Sequence, residues 1–162
     1  MVWTTTPWCI PGNLAIAVGK EIEYSRISIK NNFYWIATDR LFEMKDHEIE
    51  IVDVSYGKDL IGASYIPAYN EYEHLFKEGA FRIIHSDDTN TESGSGLVSQ
   101  APAYGESDFY ALKNSNIDVI ADPVTLSGRF DSTFKELNGL NVKDADKSVS
   151  YTHLTLPTIR LV

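Results

Sequence analysis

The chain has 162 residues, 43% hydrophobic and 23% charged, enough for one domain with its own core and too few for two comfortable ones. A net charge of −9 excludes a domain that grips a nucleic-acid backbone by itself, because that affinity comes from lysine and arginine releasing counterions. No run approaches the ~18 uninterrupted apolar residues of a membrane-spanning helix, no signal-peptide pattern is visible and the lone Cys9 excludes an internal disulfide, so a soluble protein of the reducing cytoplasm is expected.

Residues 3–13 read Trp3-Thr4-Thr5-Thr6-Pro7-Trp8-Cys9-Ile10-Pro11-Gly12-Asn13. Branching at Cβ favours an extended backbone through the three threonines, and strand alternation then puts Thr4 and Thr6 on one face and Thr5 on the other. Pro7 and Pro11 remove backbone donors and fix φ, so a stiff turn follows, ending at Gly12 and Asn13. Taken alone, the segment reads either as a ligand-holding wall or as an edge strand ending in a proline turn.

Residues 14–18, 22–29 and 33–37 read as successive strands of a meander, separated by Gly19-Lys20 and Asn31-Asn32. Thr38 is placed to cap a short helix over 38–44, and residues 49–56 return to strand before Gly57. The acidic stretch from Asp46 to Asp53 is interleaved with Ile49, Ile51 and Val52, the pattern of a strand with a solvated face rather than a site. Two further strands, 81–84 and 97–101, flank a polar loop that carries Asp87, Asp88, Asn90, Glu92 and Ser93 and ends in Gly94-Ser95-Gly96. After Pro102, Phe109 and Leu112 recur at helical spacing, with Glu106, Ser107 and Asp108 at the helix N-terminus. Short strands around one or two short helices, without regular βα alternation, predict a mainly β, barrel-like α+β domain. There is no internal repeat.

Residues 149–162 alternate like an edge strand but resemble the translation of a transposon-based sequencing-library adapter. The domain is therefore expected over 1–148, with 149–162 a non-native tail. His47, His74, His85 and His153 show no paired ligand spacing and Cys9 is alone, so no metal site is expected. Gly94-Ser95-Gly96 lacks the Gly-Lys-Ser/Thr that completes a phosphate loop and reads as a strand-entry turn. Cys9 has no adjacent histidine in a recognisable motif and reads as a small packing residue.

Two distant segments together resemble the editing domain of isoleucyl-tRNA synthetase, the connective-peptide insertion of a class I synthetase. The family pattern Trp-Thr-Thr-Thr-Pro-Trp-Thr, hydrophobic, Pro, variable, Asn is reproduced from Trp3 to Asn13, with Cys9 in the last threonine's place. Valyl and leucyl relatives typically carry Thr-Thr-Arg-Pro, so Thr6 favours the isoleucyl branch. Residues 94–108, Gly94-Ser95-Gly96-Leu97-Val98-Ser99-Gln100-Ala101-Pro102-Ala103-Tyr104-Gly105-Glu106-Ser107-Asp108, resemble the family's Gly-Thr-Gly-hydrophobic-Val-His, variable, Ala-Pro, aromatic-Gly and downstream Asp. Weaker agreement runs through Gly57 to Gly62 with Tyr65 and Pro67, and through Gly128-Arg129-Phe130, Gly139 and Asp144-Ala145-Asp146.

The resemblance implies a barrel-like editing domain that hydrolyses mischarged valyl-tRNA(Ile) to valine and tRNA, as part of isoleucine–tRNA ligase. A hydrophobic pocket gains only about 1–3 kcal/mol from one methylene, so a synthetic site rejects valine poorly; this synthetase family is itself the standard illustration of that limit. The implied catalytic residues are Thr4, Thr5, Thr6 and Asp108, with Asp108 also pairing the ligand's α-ammonium. Trp8, Asn13, Gly96, Ser99, Ala101 and Pro102 are the implied substrate-binding residues. The implied partners are the acceptor end of tRNA(Ile), the valine ester and the remainder of the synthetase, with no membrane; the implied location is cytoplasmic. No cofactor is implied for the editing domain; ATP, Mg and an optional structural Zn belong to parts of the parent enzyme outside this chain. The departure is Ser99, which stands where the family has histidine and has shorter reach and no titration near neutrality. A degenerate insertion that binds the acceptor end or braces the synthetase without hydrolysis is the alternative.

Overall fold

The computed structural model describes residues 1–153. Strands β1 (Ala15–Val18), β2 (Glu23–Ile29), β3 (Asn32–Ala37), β4 (Glu50–Tyr56), β5 (Arg82–His85) and β6 (Val98–Gln100) form two three-stranded sheets, ordered β5-β1-β6 and β3-β2-β4. Helices α1 (Gly57–Leu60), α2 (Glu106–Asn114) and α3 (Val142–His153) are joined by 3-10 turns at Pro7–Gly12, Thr38–Met44 and Glu73–Glu78.

The barrel-like, mainly β expectation is overturned. Both sheets are open, and among the described residues helical and strand segments occur in comparable amounts, giving a mixed α/β fold. The error lies at β1. All four of its residues are apolar or small and buried, so it needs cover on both faces and a partner on both edges. It finds them in β5, which runs parallel, and β6, which runs antiparallel, rather than in β2. The parallel pairing needs a long crossover, and the whole second sheet lies within that connection.

In the second sheet β2 is central; its burial alternates from Ser25 to Ile29, while Tyr24, on the opposite face, is also buried, so the strand is covered on both faces at its start. Lys30 and Asn31, with φ of 49° and 66°, make the two-residue turn that joins it to β3, a conformation Asn tolerates. On its other edge the register with β4 slips between Arg26 and Ile27, so Val52 is the extra residue of a bulge. β4 is exposed along nearly its whole length, on both faces rather than on the one solvated face expected, with Ile51, Val52 and Val54 open to solvent.

Three buried clusters hold the molecule together. The largest wraps β1 with Leu14, Phe81, Ile83, Leu97 and Leu112; a second gathers Phe130, Phe134, Leu137, Ala145 and Val149; the third lies on the β2–β3 hairpin around Ile27 and Ile36. Residues 149–153 continue α3, and the rest of the adapter-like tail, 154–162, lies outside the described residues.

Two polar ties position the site. The fully buried Tyr24 of β2 accepts from the Gly19 N–H at 3.1 Å and donates to the Gly96 carbonyl at 2.7 Å, fixing the turn that feeds β6. Burial pushes its phenol up to about 12, so it remains a donor. The second tie comes from α3. No side chain of Thr6 caps the 3-10 turn Pro7–Gly12; instead Asp146 accepts the Trp8 N–H at 3.0 Å from 138 residues away. Replacing Asp146 with alanine removes this cap and is expected to cost about 1 kcal/mol, a fall of roughly 2–4 °C in the melting temperature followed by circular dichroism.

Candidate functional site

The two segments singled out in the sequence meet beside β6. Trp3 forms a short parallel bridge to Val98, its N–H donating to the Leu97 carbonyl at 2.8 Å and its carbonyl accepting the Ser99 N–H at 3.1 Å. The chain then leaves the sheet. Thr6 precedes proline, which disfavours helical backbone, and its N–H bonds back to Thr4 Oγ1 at 3.2 Å while that hydroxyl reaches the Thr6 carbonyl at 3.3 Å. This hydroxyl turn replaces the predicted strand, so strand alternation does not set where the three side chains point. All three threonines line one cleft of about 260 Å³.

Ser99, Ala101 and Asp108 lie on the same cleft. Asp108 sits in the first turn of α2, and its Oδ2 accepts the Ala101 N–H at 2.8 Å. Its Oδ1 takes a long bond from the Ser107 hydroxyl at 3.4 Å. The carboxylate packs over Gly105, where a Cβ would come within 3.0 Å of its Cγ. One oxygen is thus held by the backbone, and the other keeps acceptor capacity toward the cleft. Burial raises the Asp108 pKa above the ordinary aspartate range, the Ala101 bond only partly opposing it.

That direction has a consequence for stability. A carboxyl whose folded pKa is raised contributes stability that is full below its unfolded pKa and lost as pH rises through the folded value. At neutral pH the ionised Asp108 is therefore a standing cost to the empty domain, one that a bound cation relieves. Asp108→Asn, which keeps an oxygen for the Ala101 N–H, is expected to melt at or above the parent temperature at pH 7. Differential scanning calorimetry should show that advantage shrinking toward pH 3.

The remaining predicted residues support the cleft from outside. Asn13 donates through Nδ2 to the Ala15 carbonyl at 2.7 Å and to Ser99 Oγ at 2.9 Å, and accepts the Tyr65 hydroxyl on Oδ1. Trp8 packs edge-on against Tyr104, with ring centroids 4.8 Å apart. Gly96 and Pro102 are buried in the backbone that frames β6. Five residues not among the implied site residues, Trp3, Cys9, Val98, Tyr104 and Gly105, also line the cleft. Cys9 is buried and donates to Thr6 Oγ1 at 3.4 Å, its thiol pushed up chiefly by burial, so it stays protonated. Tyr104 donates to Asp122 at 3.2 Å, and its ring approaches Gly12 so closely that a Cβ there would fall within 2.9 Å of it. Tyr104 was visible only as the aromatic of the second motif, and Tyr65 and Asp146 only as anchors of the weaker agreement, without a role at the cleft.

A larger cavity of about 500 Å³ lies on the far side of Trp3, between Ile36, Met44 and residues 92–95. Its guanidinium, Arg40, is already occupied by the Gly94, Thr91 and Glu92 carbonyls and by Glu43. The smaller cleft, where hydroxyls and a carboxylate converge, is the stronger candidate. Among the described residues no cluster of His, Cys, Asp and Glu is arranged to hold a metal ion, and no helix is long and apolar enough to cross a membrane.

No protein-family model matches the chain. Curated relatives do: the isoleucine–tRNA ligase of Bdellovibrio bacteriovorus is 39% identical over 160 residues, covering 92% of this chain and 14% of that protein. The cytoplasmic isoleucine–tRNA ligase of Saccharomyces cerevisiae is 36% identical over 159 residues, again covering 92% of this chain. A crystal structure of GlLeuRS-CP1 shares the fold, with a TM-score of 0.71 over 99% of this chain and 81% of that one at 13% identity. The chain belongs to the connective-peptide editing domains of isoleucine–tRNA ligases. It spans 14–15% of the length of the curated relatives it matches. Within this editing domain the cleft is built by the two segments whose residues carry the resemblance, and Ser99 stands on its wall where the family pattern has histidine.

Proposed function

We propose that the cleft hydrolyses the ester of valyl-tRNA(Ile), releasing valine and tRNA. The observation that supports this reading is the convergence of Thr4, Thr5 and Thr6 with Asp108 on one small cleft. At about 260 Å³ the cleft falls below the ~300–1,000 Å³ of pockets that enclose drug-sized ligands, which suits an aminoacyl group better than a whole nucleotide.

The roles follow from chemistry. The α-ammonium of the aminoacyl group pairs with Asp108, whose ionised form is costly without a cation, so an aminoacyl ester is favoured over a bare tRNA end. The threonine hydroxyls hold the ester, the terminal ribose or a water. Water oxygen adds to the ester carbonyl carbon, the bond from that carbon to the ribose oxygen breaks, and the ribose oxygen takes a proton. The products are a free hydroxyl on tRNA and the valine carboxylate, with one proton released to solvent. No side-chain nucleophile is needed, since positioning alone lowers the barrier by several kcal/mol. The acidic net charge fits delivery of the acceptor end by other parts of the parent synthetase, which hold the tRNA body.

The test is deacylation of valyl-tRNA(Ile) and isoleucyl-tRNA(Ile) by this chain, assayed free and in place of the matching segment of the Bdellovibrio enzyme. Faster loss of valine than of isoleucine supports the reading. Ser99 is the one observation on the side of a non-hydrolytic insertion: binding of the valyl ester with no release of valine in either setting would establish that alternative.

A further inference from the structure

Ser99 is short, but it is not loosely held. Its N–H is fixed by the Trp3 carbonyl at 3.1 Å, and its Oγ lies 2.9 Å from Asn13 Nδ2. The direction of that second bond is set by the surroundings. The same end of the Asn13 amide faces the Ala15 carbonyl at 2.7 Å and the Gln100 carbonyl at 3.3 Å, and carbonyls only accept, so that end is the nitrogen. The other end, Oδ1, accepts the hydroxyl of Tyr65, which is 4% exposed and 52 residues away in sequence.

A hydroxyl has one proton to give. Because Asn13 donates to Ser99 Oγ, the Ser99 proton is directed elsewhere, and no acceptor among the described residues takes it. Ser99 lines the cleft with Thr4, Thr5, Thr6 and Asp108. We infer that Tyr65 and Asn13 form a positioning relay that turns Ser99 into a fixed hydrogen-bond donor, aimed at an oxygen of the bound ester. The inference rests on the deacylase reading and adds to it a donor to the ester and the buried residue that aims it. Burial keeps the Tyr65 phenol protonated across the working pH range, so the relay does not reverse.

The relay is tested by a double-mutant cycle on deacylation. Ser99→Ala removes the donor and is expected to lower kcat by about 10²-fold, the scale of losing one preorganised donor to a reacting oxygen. Tyr65→Phe removes one buried hydroxyl while keeping the ring packed against Phe81. It is expected to lower kcat by about tenfold with KM unchanged, because an aimed donor acts mainly in the transition state. In the Ser99→Ala background the Tyr65→Phe effect should vanish, and Ser99→Thr, which keeps a hydroxyl, should restore most of the rate together with its dependence on Tyr65. A Tyr65→Phe loss that persists without Ser99, or no loss at all, overturns the relay. A parent chain without deacylase activity overturns the functional reading instead. The relay is then judged by exchange of the Asn13 side-chain amide protons: protection in the parent but not in Tyr65→Phe keeps it, and equal exchange removes it.

Discussion

Asp108→Ala is expected to abolish most of the deacylation of valyl-tRNA(Ile), by about 10²-fold or more. Truncating one partner of a partly buried, hydrogen-bonded charge pair costs about 2–5 kcal/mol, and here the truncation removes two things together. The cleft loses the carboxylate proposed to pair with the substrate ammonium, and the Ala101 N–H loses its acceptor at 2.8 Å. Asp108→Asn separates them, since it keeps the backbone bond and discards the charge. If ammonium recognition is the role of Asp108, the asparagine variant should be nearly as slow as the alanine variant while melting no lower than the parent. Were the residue only a brace for residues 101–105, asparagine would be nearly fully active. The pH profile supplies a third reading. Activity in kcat/KM should fall as pH drops through the raised Asp108 pKa, because a protonated carboxyl pairs poorly with an ammonium. With the ammonium bound, the carboxylate is stabilised, so the acid limb of kcat should lie lower. Identical limbs would place the titrating group elsewhere.

The elements of this fold were legible wherever local chemistry decides them. Ser25 through Ile29 alternates in burial, Lys30 and Asn31 accept a left-handed turn, and Glu106 to Asp108 open a helix that the structure shows from Glu106 to Asn114. What sequence order could not convey is which strand pairs with which. β1 reads like the first strand of a meander because it precedes β2, yet burial on both faces commits it to β5 and β6, some 65 and more residues downstream. The same limit governs the site. Its two walls were visible as motifs, because each is a contiguous run. Their supports were not legible as supports: Tyr65 and Asp146 stood only among the weaker anchors of the resemblance, with nothing to say that Asp146 caps the Trp8 turn, that Tyr65 bonds Asn13 or that Tyr24 holds Gly96, each a single polar side chain reaching across the fold. A tyrosine that will be buried and bonded looks, in sequence, like any other. The threonine wall differs in another way: a hydroxyl-to-backbone turn ahead of Pro7 takes the place of the strand that β-branching favours.

Gly96→Ala should be strongly damaging to folding while leaving every cleft side chain in place. Gly96 has φ of +76°, a conformation that costs an L-residue about 1–2 kcal/mol. Its added Cβ would also lie 2.5 Å from the Ala37 Cβ and 3.4 Å from the Tyr24 ring, both buried and neither at the end of a flexible chain. Relieving that overlap means moving the second sheet off the turn, an overpacking cost of about 1–3 kcal/mol. Together these amount to about 2–5 kcal/mol, or a fall of roughly 5–15 °C in melting temperature. Gly62 isolates the steric part, since it has φ of +90° but nothing within 4 Å of an added Cβ. Gly62→Ala should therefore show only the backbone share, a few degrees. Equal falls for the two variants would mean that the Ala37 contact is relieved without cost. The consequence for function follows from connectivity. The Gly96 carbonyl receives the Tyr24 hydroxyl, and the next residues, Leu97 to Ser99, bind Trp3 and present the Ser99 side chain. A shift of this turn displaces Ser99 and the root of the threonine wall together, while Asp108, held on α2 and by Ala101, stays behind. The Gly96→Ala protein that remains folded at low temperature should thus lose kcat by misaligning the two walls, with its affinity for the aminoacyl ammonium largely retained.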